Sequence, residues 1–307
     1  MTGDRRGVTL LELIIALTVG LVVIASSLGF AATTFRTVNR SEVTEGIERN
    51  ARYLGVLFRR DLAEAGVGLD SRPSFGTLQA RGDTIVVLKT PFDPLQAPAR
   101  ALRPPPGPGT LLPPGGTCGP TCLDLELGTA TLDLAPGDLA TLQVNTARRL
   151  IVVSSVQVLG DTLRLEFFPR DTVLLHPGAF AGGLQLARNG TSVQKLAFTA
   201  FWHDSASATL HRAERFDAAG TLVDEVVATR VRAFDARLVF TDGDELATGS
   251  PTDADDTNDW DDIRAIRLLA TLAADRADPR INGGVLLARP FEWLVSPRNL
   301  TYERNRL

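Results

Sequence analysis

The chain has 307 residues, of which 44% are hydrophobic and 22% charged, and its formal net charge is −4. This composition agrees with a folded domain of ordinary size. The modest acidic balance gives no support for a large basic surface of the kind that binds nucleic acids.

The first predicted element is an apolar helix of membrane length. Residues 5–32 are RRGVTLLELIIALTVGLVVIASSLGFAA, and no charged residue follows Glu12 within this run. An α-helix from residue 10 to residue 32 would be about 34 Å long, enough to cross a bilayer core of about 30 Å. Because Arg5 and Arg6 precede the run, the positive-inside tendency keeps that end in the cytoplasm and places the bulk of the chain outside it.

Glu12 is the unusual residue of this helix, because a lone ionised carboxylate in hydrocarbon costs several kcal/mol. Three plain interpretations compete for the segment. A secretory signal peptide has a shorter apolar region, of about 7–15 residues, followed by a cleavage site. A plain signal anchor would hold Glu12 at the headgroup level, and a buried helix of a soluble protein is disfavoured by the length of the uncharged run.

The order of these residues resembles the N-terminus of type IV prepilins and type II secretion pseudopilins. A short basic leader ends at Gly7, and Glu12 is the fifth residue counted from Val8. The resemblance implies cleavage by a prepilin peptidase between Gly7 and Val8, methylation of the new amine at Val8, and a role for Glu12 in assembly. The family usually has phenylalanine where this chain has Val8. We hypothesise that Glu12 pairs with the N-terminal amine of an adjacent subunit, which replaces a lone charge with an ion pair.

The helix is predicted to continue beyond the membrane as an amphipathic stem. Apolar residues recur at steps of three and four, the period of one helix face, at Ile47, Ala51, Leu54, Phe58, Leu62 and Ala65. Gly66, Gly68 and Pro73 are stop signals. The predicted organisation is a leader over 1–7, a transmembrane half over 8–32, an amphipathic half over 33–68 and an extracytoplasmic domain over 69–307.

The domain after the stem is predicted to be rich in β-strands, because the apolar pattern changes to period two. Gly160 and Asp161 separate two of the runs and indicate a hairpin turn. The last run is helical by pattern, but its place after an acidic loop favours a strand. Together with the stem this gives an α+β, pilin-like fold, in which a long helix packs on a mostly antiparallel sheet with long loops. The predicted strands lie within 84–89, 138–145, 148–159, 162–168, 193–202, 208–216, 221–240 and 261–275.

Three further stretches resemble the PilW-like minor pilins, which are akin to the GspJ-like minor pseudopilins. They are NARYLGVLFRRDLAEAGVGL at the end of the stem, DEVVATRVRAFDARLVFTDG late in the domain and FEWLVSPRNL near the end. This resemblance implies that the partners are other pilins or pseudopilins and an inner-membrane assembly platform. It also implies residence in a bacterial inner membrane before assembly into a pilus or pseudopilus.

Residues 91–122 are rich in proline and glycine and predict a long surface loop, with recognition of its prolines by a partner as an open alternative. Cys118 and Cys122 are the two cysteines of the chain. An oxidising extracytoplasmic compartment favours a structural disulfide between them. The rival is a redox-active or metal-binding pair, but three residues intervene and no second pair of Cys or His lies nearby to complete a tetrahedral metal site.

The acidic stretch 241–262 is the best candidate for a bound cation, because calcium takes oxygen ligands from flexible loops. The candidate ligands are Asp253, Asp255 and Asp259. Their register is poor for an EF-hand loop, so a solvated acidic loop without a cofactor is the favoured interpretation. Thermal stabilisation by calcium that is lost on Asp253→Ala or Asp255→Ala would reverse this preference.

An enzymatic role is disfavoured, since the sequence contains no P-loop, dinucleotide fingerprint, G-x-S-x-G elbow or H-E-x-x-H motif. Three classes of function remain. The favoured one is a minor pilin that takes part in the assembly, priming or tip of a type IV pilus. The alternatives are a minor pseudopilin of a type II secretion system or a tip subunit for adhesion or DNA uptake, and last a membrane-anchored domain that never polymerises.

Overall fold

The computed structural model describes ten stretches of the chain: residues 9–69, 76–91, 102–105, 118, 121–127, 134–145, 147–170, 190–249, 258–277 and 282–298. The chain divides into two compact units. One comprises Met1–Arg49 with Ala273–Arg289, and the other comprises Asn50–Leu272 with Pro290–Leu307.

One long helix precedes all the strands. Helix α1 is Leu10–Leu62 and has 53 residues. The first seven strands are β1 (Leu78–Arg81), β2 (Thr84–Lys89), β3 (Cys122–Glu126), β4 (Leu139–Val144), β5 (Ala147–Leu159), β6 (Thr162–Arg170) and β7 (Thr191–Asp204). The remaining strands are β8 (Thr209–Phe216), β9 (Leu222–Thr229), β10 (Val231–Phe240), β11 (Glu245–Leu246), β12 (Ile263–Ala273) and β13 (Ala288–Val295), with a short 3-10 helix at Asn282–Gly284.

The outer half of α1 is amphipathic, as its sequence period predicts. The residues of the predicted stripe are all buried, with Ala51 the most exposed at 4% and Phe58 and Leu62 at 0%. The helix ends at Leu62, earlier than the glycine signals suggest, and residues 63–68 continue as turns. Gly66 has a φ of 76°, the left-handed conformation that glycine adopts without a Cβ penalty.

The larger sheet contains nine strands, and its main path runs β1-β2-β7-β4-β5-β6-β3. Strand β8 pairs with β7, and β9 pairs with β8. Every recorded pairing in this sheet is antiparallel. The turn predicted at Gly160 and Asp161 is confirmed, because Leu159 pairs with Thr162 and Gly160 has a φ of 65°.

Two residues close part of this sheet into a small barrel. Leu102 exchanges two backbone hydrogen bonds of 2.8 Å with Val193 on β7. The carbonyl of Arg103 accepts a hydrogen bond of 2.7 Å from the amide of Glu126 on β3. Strands β7, β4, β5, β6 and β3 therefore form a ring that these two residues complete. Side chains from this ring form one buried apolar cluster with Leu102.

The predicted surface loop at 91–122 thus contains a buried, paired segment. Leu102 is 9% exposed and Pro104 is also buried. No periodic pattern marks this segment, because only Leu102 and Arg103 pair with the strands, each through one isolated bridge. Most of the loop lies outside the described residues.

The second sheet has four strands in the order β11-β10-β12-β13. Its strand β12 confirms a strand, and not a helix, in the predicted run at 261–275. The single run predicted at 221–240 divides at Arg230, whose φ is 60°. Strand β9 before this residue belongs to the larger sheet and β10 after it to the smaller one. The domain is therefore built from two sheets, where the sequence predicted one.

Aromatic rings join α1 to both sheets within the larger unit. Phe58 lies edge-on to Phe201 of β7 with ring centroids 5.2 Å apart, and it stacks on Phe234 of β10 at 5.9 Å. Trp293 of β13 is edge-on to Phe58 at 5.5 Å. The long helix thus packs on antiparallel sheets, which confirms the α+β, pilin-like fold class.

Candidate functional site

Glu12 lies in the first turn of α1, where its carboxylate caps the helix. The Thr9 amide and hydroxyl each donate to Glu12 Oε2 at 3.1 Å, and the Glu12 amide donates to Thr9 Oγ1 at 3.3 Å. This reciprocal pair is a capping box, in which the side chains at the first and fourth positions satisfy free backbone amides. Sequence reasoning missed Thr9, although the spacing Thr-x-x-Glu ahead of an apolar run is the signal for this motif.

The helix surface around Glu12 is apolar and exposed. The side chain of Leu10 is 76% exposed and that of Phe30 is also 76% exposed. An 18-residue window of α1 has a mean hydropathy of 2.5, and none of that window is buried. By length and composition α1 can therefore cross a membrane, and its apolar surface needs lipid or protein to cover it.

The Glu12 carboxylate is the one acidic group between residues 9 and 41. The capping bonds all come from Thr9, and the rest of its surroundings on α1 is hydrocarbon. A carboxylate oxygen accepts more than one hydrogen bond, so Glu12 can cap its own helix and also accept from a cation. Gly7 and Val8, which form the predicted cleavage site of this chain, lie outside the described residues.

The cysteine pair lies at the start of β3. Cys118 and Cys122 are joined by a disulfide, and their Cα atoms are 5.2 Å apart. This separation falls in the normal range for the bond. Next to this disulfide is an ion pair, in which Arg164 Nε of β6 donates to Asp124 Oδ1 of β3 at 2.9 Å. The disulfide therefore fixes the chain where it enters the barrel.

The calcium candidates are only partly covered by the structure. Asp253 and Asp255 lie outside the described residues, and Asp259 is 1% exposed. Across the stretches that the structure describes, no group of three or more His, Cys, Asp or Glu side chains is placed to hold a metal ion. The solvated acidic loop stays the favoured prediction, with calcium binding as its untested alternative.

Two histidines fall in the described strands. His203 of β7 is buried, and its Nε2 donates to the Val231 carbonyl at 2.8 Å. His211 of β8 lies between Thr209 and Asp224 and stacks on Trp202, with ring centroids 5.4 Å apart. His203 thus joins the larger sheet to β10 of the smaller one, and His211 bonds within β8 and to the adjacent β9.

A network of buried charges joins α1 to the larger sheet. Arg212 of β8 and Asp61 of α1 have side chains that are 8% and 6% exposed, and Arg212 Nε donates to Asp61 Oδ2 at 2.8 Å. Arg212 also bonds to Glu214 and, at 3.1 Å, to Glu225 of β9. Burial opposes the charged form of Arg212, but its hydrogen bonds to Asp61 and Glu214 outweigh burial and raise its pKa.

This network forms the floor of a groove of about 440 Å³, which we call the charged groove. One wall is α1, which contributes Tyr53, Val56 and Arg60, and the opposite wall contributes Glu214 and Glu225. Glu64 and Lys89 also line the groove, and they form an ion pair with each other. Sequence reasoning did not predict the groove, because it depends on pairing between residues far apart in the chain.

Comparison with known proteins bears on the N-terminal segment. No curated protein and no solved structure matches the chain at a significant level. Residues 3–28 match the family model described as the prokaryotic N-terminal methylation motif. That segment contains Gly7, Val8 and Glu12 and most of the apolar half of α1. The chain therefore has a prepilin-type N-terminal methylation motif, which supports a type IV pilin-like or pseudopilin protein.

Proposed function

We propose that this protein is a PilW-like minor pilin, which takes part in the assembly, priming or tip of a type IV pilus after cleavage by prepilin peptidase. The observation that carries the proposal is the prepilin-type motif at residues 3–28, which coincides with the exposed apolar half of α1. In this proposal the cut falls between Gly7 and Val8, the amine of Val8 is methylated, and the apolar helix anchors the subunit before assembly.

The proposed mechanism follows from the cost of exposing α1. In a membrane, lipid covers the apolar helix and leaves the Glu12 carboxylate in a medium of low dielectric. In a bundle of such helices, neighbouring stems cover the same surface, and the amine at Val8 of an adjacent subunit offsets the charge of Glu12. Transfer from membrane to filament then keeps the apolar surface buried throughout.

The large domain supports a minor role in place of a major one. Two sheets and a barrel follow the stem, which is more structure than a compact repeating subunit needs to cover its helix. The proposal places this domain outside the cytoplasm, with the N-terminus on the cytoplasmic side of a bacterial inner membrane. Its partners are the prepilin peptidase, other pilins and an inner-membrane assembly platform.

Mass spectrometry of the N-terminal peptide tests the proposal, applied separately to isolated membranes and to sheared surface filaments. We expect a peptide that begins at N-methylated Val8 in both fractions. A chain that keeps residues 1–7 and is confined to membranes would contradict both processing and assembly. A processed chain in filaments that form only with a secretion system would assign it to the pseudopilins instead.

A further inference from the structure

Arg36 and Arg40 are two exposed cations just beyond the apolar half of α1. The run from residue 33 to residue 41 contains no acidic residue. The two arginines are four positions apart, a spacing that places both side chains on the same face of a helix. Like charges at this spacing repel each other and destabilise an isolated helix. An anion that lies between the two guanidinium groups would remove this repulsion.

The first three acidic residues beyond this pair on α1 already have arginine partners. These ion pairs are Glu42–Arg276 at 3.6 Å, Glu45–Arg49 at 3.1 Å and Glu48–Arg289 at 3.1 Å. Among the residues that the structure describes, no carboxylate bonds to Arg36 or Arg40. The described part of the chain therefore leaves the charge of these two arginines to an external anion.

The position of the pair along α1 matches the phosphate layer of a bilayer. At about 1.5 Å per residue, Arg36 lies about 6 Å and Arg40 about 12 Å beyond residue 32, where the predicted transmembrane half ends. The headgroup region adds about 5–8 Å to each side of the hydrocarbon core. Helix side chains tilt toward the N-terminus, which for this pair is the membrane side. Arg40 can therefore extend its guanidinium back to the layer in which Arg36 lies.

The opposite side of α1 stays apolar up to the same level. Phe35 and Val38 are 67% and 47% exposed. At about 3.6 residues per turn they point away from the two arginines. The stem at this level thus presents hydrocarbon on one side and two guanidinium groups on the other, which suits the boundary between acyl chains and headgroups.

A lipid phosphate is the anion that fits this position. Guanidinium groups form paired hydrogen bonds with phosphate oxygens, and they attract anionic membrane surfaces. A zwitterionic headgroup carries its own ammonium, which competes with the arginines for the phosphate. An anionic headgroup has no such cation, so its phosphate is the stronger ligand for the pair.

We infer that Arg36 and Arg40 together bind the phosphate of an anionic phospholipid at the outer surface of the membrane that holds the stem, an inference that rests on the proposed membrane-anchored state. One phosphate lies between the two guanidinium groups and accepts hydrogen bonds from both. The site holds the stem at a fixed depth before assembly, because movement of α1 along its axis would pull the arginines out of the phosphate layer.

Native mass spectrometry of the full-length chain tests this site. The chain is purified in detergent and incubated with an equimolar mixture of phosphatidylglycerol and phosphatidylcholine, and the lipids that each subunit retains are counted. We expect phosphatidylglycerol to be retained over phosphatidylcholine by about fivefold or more. Arg36→Gln with Arg40→Gln should abolish this preference. An excess of inorganic phosphate should not displace the lipid, because the acyl chains also hold it against α1.

The matched control removes two arginines of the same helix that lie far from the membrane. Arg52→Gln with Arg59→Gln changes the net charge equally, and both residues are exposed and lie about 30 Å and about 40 Å beyond residue 32. This control should keep the native preference. Arg40→Ser with Ser41→Arg keeps the net charge but turns one guanidinium by about 100° around the helix, and it should lose most of the preference.

The outcomes separate this inference from the proposed function. An undiminished preference in Arg36→Gln with Arg40→Gln, an equal loss in the control, or an undiminished preference after the exchange at positions 40 and 41 overturns the inference and leaves the proposed function intact. Displacement by inorganic phosphate would also overturn it, since the site would then bind free phosphate. A double variant that keeps the lipid but is lost from filaments would assign the arginines to a neighbouring subunit. A chain that alkaline carbonate removes from isolated membranes is not anchored there and overturns both.

Discussion

At the scale of single residues, Gly55 shows that the side chain packed against a helix position determines whether a residue larger than glycine fits there. A Cβ at Gly55 would lie 2.6 Å from Trp293 Nε1, whereas a Cβ at Gly46 of the same helix would meet nothing within 4 Å. Alanine is the better helix former by about 1 kcal/mol. Substitution by alanine should therefore have opposite effects on stability at the two glycines.

We expect Gly46→Ala to raise the free energy of unfolding by about 0.5–1 kcal/mol through helix propensity. Gly55→Ala should lower it by about 1 kcal/mol, because displacing Trp293 from Phe58 costs about 1–3 kcal/mol and exceeds the helix gain. Thermal unfolding of the full chain in detergent measures both. A rise in Tm for Gly55→Ala equal to that of Gly46→Ala would show that Trp293 moves without cost.

Asp204 provides a residue-scale prediction about pH. Ser207 Oγ donates to Asp204 Oδ2 at 2.6 Å and the Ala206 amide donates to Oδ1 at 2.9 Å, and these bonds lower the pKa of the Asp204 carboxyl. A lowered carboxyl pKa contributes stability above the ordinary pKa, and that contribution disappears as the pH falls through the lowered value. Ser207→Ala should therefore raise the pKa of Asp204 toward its ordinary value.

Titration of the Asp204 carboxyl by NMR is the measurement, with Ser154→Ala as the control. Ser154 is a half-buried serine of β5 that forms no part of this turn. An unchanged pKa in Ser207→Ala would mean that the backbone amides alone hold the carboxylate.

At the scale of elements, the Asp61–Arg212 pair joins α1 to β8 through buried charge. Removing one partner of a buried pair leaves the other uncompensated, which costs about 3–5 kcal/mol. Arg212 keeps Glu214 and Glu225, so we expect Asp61→Ala to lower the free energy of unfolding by about 3 kcal/mol, the lower end of that range. Replacing both partners, as Asp61→Leu with Arg212→Met, should recover part of the loss.

The matched control for this pair is Arg49→Ala. Arg49 and Glu45 form an i,i+4 pair on α1 with side chains that are 76% and 61% exposed. Its loss should cost about 0.5 kcal/mol or less. Denaturant unfolding compares the variants, and a cost of Asp61→Ala no larger than that of Arg49→Ala would contradict a structural role for the buried pair.

Local patterns predicted most elements correctly, because period and composition act within a few residues. The apolar stripe of α1 and the strands from 138 to 216 follow the predicted runs closely. Local pattern did not predict β1, β3, β11 and β13, of which β1 and β11 have four and two residues and show little alternation. Strands β9 and β10 were predicted as one run, since nothing in the sequence around Arg230 marks a change of sheet.

Long-range pairing accounts for what local pattern does not reveal. Leu102 joins Val193, and Asp61 joins Arg212 at a separation of 151 residues. The local sequence around either residue does not identify the distant residue that it contacts. The barrel closure and the charged groove were therefore beyond prediction, whereas Glu12 was found because its motif is contiguous in the chain.

At the scale of the whole molecule, Glu12 has two roles that variants can separate. As part of the capping box it stabilises the start of α1, and in the proposed filament it pairs with the amine at Val8. Glutamine at position 12 can still accept the capping bonds but carries no charge. Thr9→Ala removes the cap, at a cost of about 1 kcal/mol, and keeps the charge.

We expect Glu12→Gln to insert into membranes normally and to be reduced at least tenfold in filaments, because the ion pair is lost. Thr9→Ala should be incorporated nearly as well as the native chain. Quantitative immunoblots of membrane and sheared filament fractions give both amounts. Equal loss of the two variants from filaments would assign the function of Glu12 to the helix cap.

The separation of 151 residues between Asp61 and Arg212 also determines when this ion pair can form during synthesis of the chain. The stem leaves the ribosome first and reaches the membrane long before β8 and β9 have been made. Asp61 has no Arg212 to pair with until residue 212 has emerged, and the opposite wall is incomplete until Glu225 of β9 has followed. The charged groove therefore does not exist on an unfinished chain, and the end of the stem gains its buried ion pair only after most of the domain has been made.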